Sequence, residues 1–185
     1  FVDTPCGTEY TANTQFSIAR KVVVIDPRRT ETAKVADEHH FVRPGTDVYL
    51  LLAIVQVLFE ELLVAPGRLD EILDGKKDLS RLVTNWKPEK VADTVGMSAD
   101  AIRKLARDIA AAPRAAIYSR VGVTTSAHST LSAWLVYVIN ILTGNKIFIK
   151  TVQIIQRFFT DNKITGWQIV THPASSNPFA ESIRS

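Results

Sequence analysis

Four consecutive aliphatic positions, Val22-Val23-Val24-Ile25, stand between Lys21 and Asp26. A run of this kind, apolar without alternation, suits a strand buried on both faces of a parallel sheet, and Pro27 ends it. A short helical turn over Glu31 to Val35 and a weak second strand around His40-Phe41-Val42 are expected next. Pro44-Gly45-Thr46-Asp47 then opens a long helix, in which Leu50, Leu51, Ile54, Val55, Leu58, Phe59 and Leu62 recur at three- and four-residue spacing. Pro66-Gly67 punctuates the chain after it. Pro88 belongs in the first turn of a further helix that Gly96 terminates. Ser98 is the expected N-cap of the next, with Ile102, Leu105, Ala106 and Ile109 on one face.

Pro113 follows that helix, and Ala115-Ala116-Ile117-Tyr118 reads as another buried strand. The sheet core is therefore expected to include Val23, Ile25, Ala116 and Ile117. Ser119 to Ser129 is a small-residue loop before a last helix closed by Gly144, with Leu131, Trp134, Leu135, Val138, Ile139 and Leu142 as its core face. Strand, helix, strand and helix in succession imply a layered α/β domain with a parallel sheet. Beyond Asn145 the pattern weakens. Lys146 to Phe159 suits helix or strand, and the tail with Pro173, Ser175, Ser176 and Pro178 reads as loop.

Composition narrows the class without naming a chemistry. With 185 residues, 46% hydrophobic and 22% charged, the chain has the size and balance of one globular domain. Lys and Arg number 22 against 19 Asp and Glu, an excess too scattered to argue for nucleic acid. The single cysteine, Cys6, excludes an internal disulfide and any four-cysteine metal site within the chain. Val48 to Val64 is the most apolar stretch, but Gln56, Glu60 and Glu61 interrupt it, so no membrane span is expected. No start methionine or charged-then-apolar leader opens the chain. Phe1-Val2-Asp3-Thr4-Pro5 reads as the middle of something longer, and the cytoplasm is the expected compartment over the periplasm.

Ligands of open parallel sheets bind outside the carboxyl ends of the strands, and three segments fall there. In Asp26-Pro27-Arg28-Arg29-Thr30, a carboxylate closing a buried strand can accept from ribose hydroxyls, while the arginines pair with phosphate or stack on a base. The competing reading is an Asp-Pro turn with solvated arginines. In Pro44-Gly45-Thr46-Asp47, Gly45 admits close backbone approach and Asp47 can accept two hydrogen bonds from the N–H edge of a guanine. Alternatively, Thr46 caps the helix and Asp47 merely complements its dipole. The third segment, Gly122-Val123-Thr124-Thr125-Ser126, suits the lining of a cofactor pocket. No G-x-S-x-G elbow surrounds Ser126, so its pairing with His128 does not point to a hydrolase. A G-x-G-x-x-G fingerprint and a P-loop are both absent. His39 and His40 are adjacent and would face opposite sides of a strand, which makes a poor joint metal site, and His172 is isolated.

Taken together, Lys21 through Ala33, then Pro44-Gly45-Thr46-Asp47 leading into an aliphatic helix, resemble the molybdopterin-dependent dimethyl sulfoxide reductase and formate dehydrogenase family. The later run fits too: a helix ending Ala110-Ala111-Ala112-Pro113, a strand, Gly122, then Leu131 through Leu142-Thr143-Gly144-Asn145. The resemblance covers residues 20–145, leaving segments 1–19 and 146–185 unplaced. It implies a Rossmann-like parallel sheet flanked by helices, incomplete relative to the family domain. That domain would hold the guanosine end of molybdopterin guanine dinucleotide, a cofactor carrying molybdenum or tungsten in the parent enzyme. The resemblance puts Asp26, Arg28 and Arg29 at the nucleotide, Gly45, Thr46 and Asp47 at the guanine, and the loop with Gly122 and Thr124 nearer the pterin.

It also implies that the remainder of a catalytic subunit and an electron-transfer subunit are partners, and that the fragment alone is inactive. Cys6, in Thr4-Pro5-Cys6-Gly7, does not match the context of the family's metal-ligating residue. A cysteine cluster for an iron–sulfur centre is missing as well. Two other functions compete. One is a structural subunit of the same fold that has lost the cofactor, as in the large iron–sulfur subunit of respiratory complex I. Retention of both Asp26-Pro27-Arg28 and Gly45-Thr46-Asp47 argues against it. The other is a generic nucleotide or nicotinamide binder, which the missing glycine fingerprint disfavours.

Overall fold

The computed structural model describes residues 21–112, 115–119 and 121–144. Strands β1 (Val23–Ile25) and β2 (Glu38–His40) pair in parallel, Val24 opposite His39. Parallel neighbours need a crossover of about a dozen residues, and here it carries helix α1 (Glu31–Val35), capped by Thr30 Oγ1 accepting from Ala33 N at 3.2 Å. β1 is buried on both faces, as the unbroken aliphatic run requires. Val22 and Val24 pack with Ala33 on one side, while Ile25 joins the main core on the other. Val23 is only partly buried against that core.

β2 begins two residues earlier than the sequence suggests. Asp37 sets the register: its Oδ2 accepts from Val22 N at 2.6 Å, and the amides of Asp37 and Glu38 both donate to Val22 O. Phe41, expected within the strand, is exposed instead.

Helix α2 (Asp47–Glu60) is the spine of the domain. Leu50, Leu51, Ile54, Val55 and Leu58 are buried as their spacing predicts, but so are Val48, Ala53, Gln56 and Val57. A helix apolar on nearly every side must be surrounded, and helices α3 (Lys76–Val83), α4 (Pro88–Val95), α5 (Ala99–Ala111) and α7 (Ser129–Leu142) all pack on it. Each fully buried aliphatic side chain contributes about 1.5–3 kcal/mol. Leu62 lies beyond the helix, exposed and in the left-handed region at φ 56°, rather than on its buried face.

α4 and α5 follow their sequence signals. Pro88 opens the first, Gly96 (φ 80°) closes it, and Ser98 Oγ accepts from Ala101 N at 3.2 Å at the start of the second. Arg103 of α5 donates to Glu60 and Glu61 at the end of α2 and to Glu89 of α4. A 3-10 turn (Gly67–Glu71) and α3 have no strong apolar period to announce them, and α3 buries only Val83.

Three expectations fail in the second half. Residues 115–118 form no strand beyond an isolated bridge at Tyr118, and Ala116 is exposed, although Ile117 is buried as expected. The backbone N–H and C=O of Ile117 are both taken by the side chain of Asn140, which removes the groups that a ladder would use. The loop expected over 119–129 contains a single turn of helix, α6 (Val121–Thr124). In α7, Leu135, Val138, Ile139 and Leu142 are buried as predicted, yet Leu131 and Trp134 are exposed. Ser132, Val136 and Asn140 take the inward positions instead, so the buried stripe is rotated toward residues that look polar in sequence. Among the described residues, no helix is long and apolar enough to cross a membrane.

Gly144 closes α7 at φ 66°, and a Cβ built there would stand 2.5 Å from the Ala65 carbonyl oxygen. Ala65 N in turn donates to Leu142 O at 2.7 Å, locking the chain after α2 to the end of α7. Gly75 has a similar φ of 76° but open space around it. The left-handed conformation alone costs a non-glycine residue about 1–2 kcal/mol. Gly75→Ala should therefore lower stability by about that much, and Gly144→Ala by roughly 2–4 kcal/mol once a backbone clash is added. Urea denaturation of both variants checks this, and equal losses would mean that the contact with Ala65 contributes nothing.

Candidate functional site

The last residue of β1 and the first of α2 meet at one end of the sheet. There a small open cleft is lined by Ile25, Asp47, Leu50, Leu51, Ile117, Tyr118, Ser119, Val123 and Val136. The location follows from topology, since the carboxyl end of a parallel strand is where loops diverge and leave space. The walls are mainly aliphatic. Asp47 is the one ionisable carboxylate in the lining, and Tyr118 and Ser119 add hydroxyls.

Asp47 is half-buried, and among the described residues its carboxylate is hydrogen-bonded to its own backbone N–H and to no other partner. Burial pushes its pKa above the ordinary carboxylate range, that hydrogen bond opposes the shift, and repulsion from nearby Asp26 reinforces it. Thr46 does not cap the helix. Its hydroxyl donates to Arg43 O at 2.7 Å, and no side chain caps α2. The first turn instead pairs with the backbone, Tyr49 N and Leu50 N donating to Thr46 O at 3.0 and 3.3 Å, beside a carboxylate that carries a desolvation cost.

Asp26 is 5% exposed, and its Oδ1 accepts from Arg28 N at 2.7 Å, tightening the turn through Pro27. His39 Nε2 lies 3.1 Å from Asp26 O, while His40 Nε2 lies 3.5 Å from Glu38, so the two imidazoles have separate partners. The side chains of Arg28 and Arg29 are exposed and form no ion pair among the described residues. Some other cations are engaged: Lys21 bridges Glu38 and Asp108, each at 2.8 Å, and Arg107 pairs with Glu61. Gly45 takes φ 78° with open space around it.

Of the residues singled out in sequence, Asp26 and Asp47 are brought within electrostatic range, with Gly45 and Thr46 immediately before Asp47. Gly122 and Thr124 are exposed and do not line the cleft, whereas Val123 between them does. Tyr118, Ser119 and Asn140 had no motif to mark them. The only signal for Asn140 was a polar residue amid the aliphatics of α7. No group of three His, Cys, Asp or Glu side chains suited to a metal ion occurs among the described residues. Cys6 and His172 lie outside them, as does the stretch from Lys146 to Phe159.

The chain is similar to known proteins over most of its length. The family model for molybdopterin oxidoreductase matches residues 5–169, reaching past 20–145 at both ends. Formate dehydrogenase H of Escherichia coli is 35% identical over 125 residues, covering 68% of this chain and 18% of that protein. A nitrate reductase of Symbiobacterium thermophilum is 35% identical over 136 residues (67% and 18%). The molybdopterin-containing subunit of a thiosulfate reductase from Salmonella typhimurium is 32% identical over 126 (68% and 17%). The solved acetylene hydratase of Pelobacter acetylenicus superposes with a TM-score of 0.66 at 28% identity, covering 71% of this chain and 18% of that one. The chain thus spans less than a fifth of the length of these relatives. With most of its length matched by the family model, the chain belongs to the molybdopterin oxidoreductase family.

Proposed function

We propose that the described domain is a Rossmann-like unit holding the guanosine end of a molybdopterin guanine dinucleotide, within a larger molybdenum or tungsten oxidoreductase. The observation that carries this reading is Asp47, a half-buried carboxylate with no side-chain partner in an otherwise aliphatic cleft. Such a cleft suits a flat ring that is apolar on its faces and offers paired N–H donors at one edge, as guanine does. Asp26 at the end of β1 suits ribose hydroxyls, the unpaired guanidinium groups of Arg28 and Arg29 suit phosphate, and Gly45 and Thr46 allow backbone approach. Gly122 and Thr124 lie outside the cleft lining and suit a contact further along the cofactor, nearer the pterin.

The relatives support assigning this stretch to what they share. Proteins named for formate, nitrate and thiosulfate match similar shares of this chain at nearly equal identity, which supports a role in holding the cofactor rather than any one substrate. When bound, the cofactor supplies the metal-centred redox chemistry, and these residues bind and orient its nucleotide. Turnover would then need the rest of the catalytic subunit and an electron-transfer partner. The purified chain should neither oxidise formate nor reduce nitrate with viologen dye, and turnover in either assay would refute the division of labour.

The role of Asp47 separates from helix capping by experiment. Because its pKa is raised in the folded state, the folded protein takes up the proton more readily than the unfolded chain does. The stabilisation this provides is present at low pH and lost as pH rises through the raised value. Asp47→Asn should therefore melt higher than the wild type at pH 7, with the gap closing on acidification toward the ordinary carboxylate range. A dipole-stabilising Asp47 would give a lower melting temperature instead. In calorimetry, wild type should prefer guanosine diphosphate to adenosine diphosphate. Asp47→Asn should lose about 10- to 100-fold for the guanine ligand, equivalent to roughly 1.5–3 kcal/mol for a charged hydrogen-bond acceptor. Guanine affinity should also weaken as acid protonates Asp47. No preference for guanine in the wild type would favour a domain that has kept the fold and lost the cofactor.

A further inference from the structure

Asn140 is 1% exposed in the last turn of α7, a helix without a single charged side chain. A buried amide that failed to satisfy its own polar atoms would be costly, and this one is well satisfied. Its Oδ1 accepts from Ile117 N at 2.9 Å, and its Nδ2 donates to Ile117 O and to Val136 O, both at 2.8 Å. Both residues it grips, Ile117 and Val136, line the cleft that contains Asp47, while Asn140 itself does not. Ile117 and Ser119 belong to no helix or strand of their own, and Tyr118 only to an isolated bridge. The side-chain amide bonds Ile117 as a neighbouring strand would, through one donor and one acceptor.

We infer that Asn140 is the positioning residue of this cleft: it clips the Ile117–Ser119 wall to α7 and thereby fixes the wall that faces Asp47. Losing the clip frees the wall and admits water, which weakens the grip on a bound base and relieves the desolvation of Asp47. The effect on the base rests on the nucleotide reading of the cleft, whereas the effect on Asp47 does not.

The test uses Asn140→Leu, which keeps the branched outline of the side chain and removes all three hydrogen bonds, and Asn140→Ser as a smaller second variant. Gly75→Ala serves as a control that destabilises the fold away from α7 and the clip. All are compared at a temperature where each is fully folded. Carbon-13 NMR of the Asp47 carboxyl group needs no ligand. Its pKa should fall back toward the ordinary carboxylate range in the Asn140 variants and stay raised in the control. By calorimetry, affinity for guanosine diphosphate should drop at least 10-fold in the Asn140 variants and stay within about twofold in the control. An Asp47 titration unchanged by loss of Asn140 overturns the inference, as does an affinity that follows melting temperature equally in all variants. Failure of both Asn140 variants to fold also overturns it, because the residue would then serve folding alone. If the wild type binds no guanosine diphosphate, the nucleotide reading fails and the NMR titration alone decides whether Asn140 holds the cleft wall.

Discussion

Burial of α2 on nearly every side is the constraint on which the rest of the domain depends. Four other helices pack on it, and the ion pairs of Arg103 fasten α5 to its end and to α4. Those exposed pairs add little energy individually. What they contribute is alignment of elements already held by aliphatic contact. Once the helix is enclosed, its first residue has to sit near the interior, so the charge of Asp47 is partly desolvated by the same packing that stabilises the fold. Asp26, closing the adjacent strand, adds a second carboxylate to this end of the domain. Repulsion from Asp26 adds to the desolvation that the packing imposes on Asp47.

Where side-chain period and local chemistry agree, the sequence was readable to within a residue or two. β1, α4 and α5 form where valines, proline, serine and glycine say they should, because each signal is local and tertiary packing reinforces it. The failures have a common origin in long-range partners. β2 is displaced because Asp37 pairs with Val22, a contact that no pattern within the strand reveals. The segment at 115–118 has strand-like residues, but a side chain from α7 occupies the backbone groups of Ile117. Trp134 and Leu131 point outward because Asn140 and Ser132 occupy the inner positions. For the site, Asp26 and Asp47 were legible as strand-end and helix-start residues. The opposing wall at Ile117 to Ser119 was not, since its strand-like residues carry no motif that marks them as the lining of a cleft.

The resemblance drawn from ordered segments and the comparison with known relatives agree on the family, and the structure explains why such a small share of a long polypeptide can be recognised. Its signals are tied to backbone geometry: a buried strand ending in Asp-Pro, a positive-φ glycine before a helix, and a glycine pressed against the Ala65 carbonyl. Each limits substitution for a physical reason that is independent of the molecule reduced or oxidised elsewhere. Relatives named for different substrates can therefore retain the same segment.

The clip made by Asn140 has one more consequence. A short extended segment with unpaired amides and carbonyls beside a cleft is a template onto which a strand from another molecule can add. Because one amide side chain occupies both polar groups of Ile117, that residue offers no such template. A polar side chain inside an aliphatic helix thus occupies the groups through which Ile117 could extend a sheet.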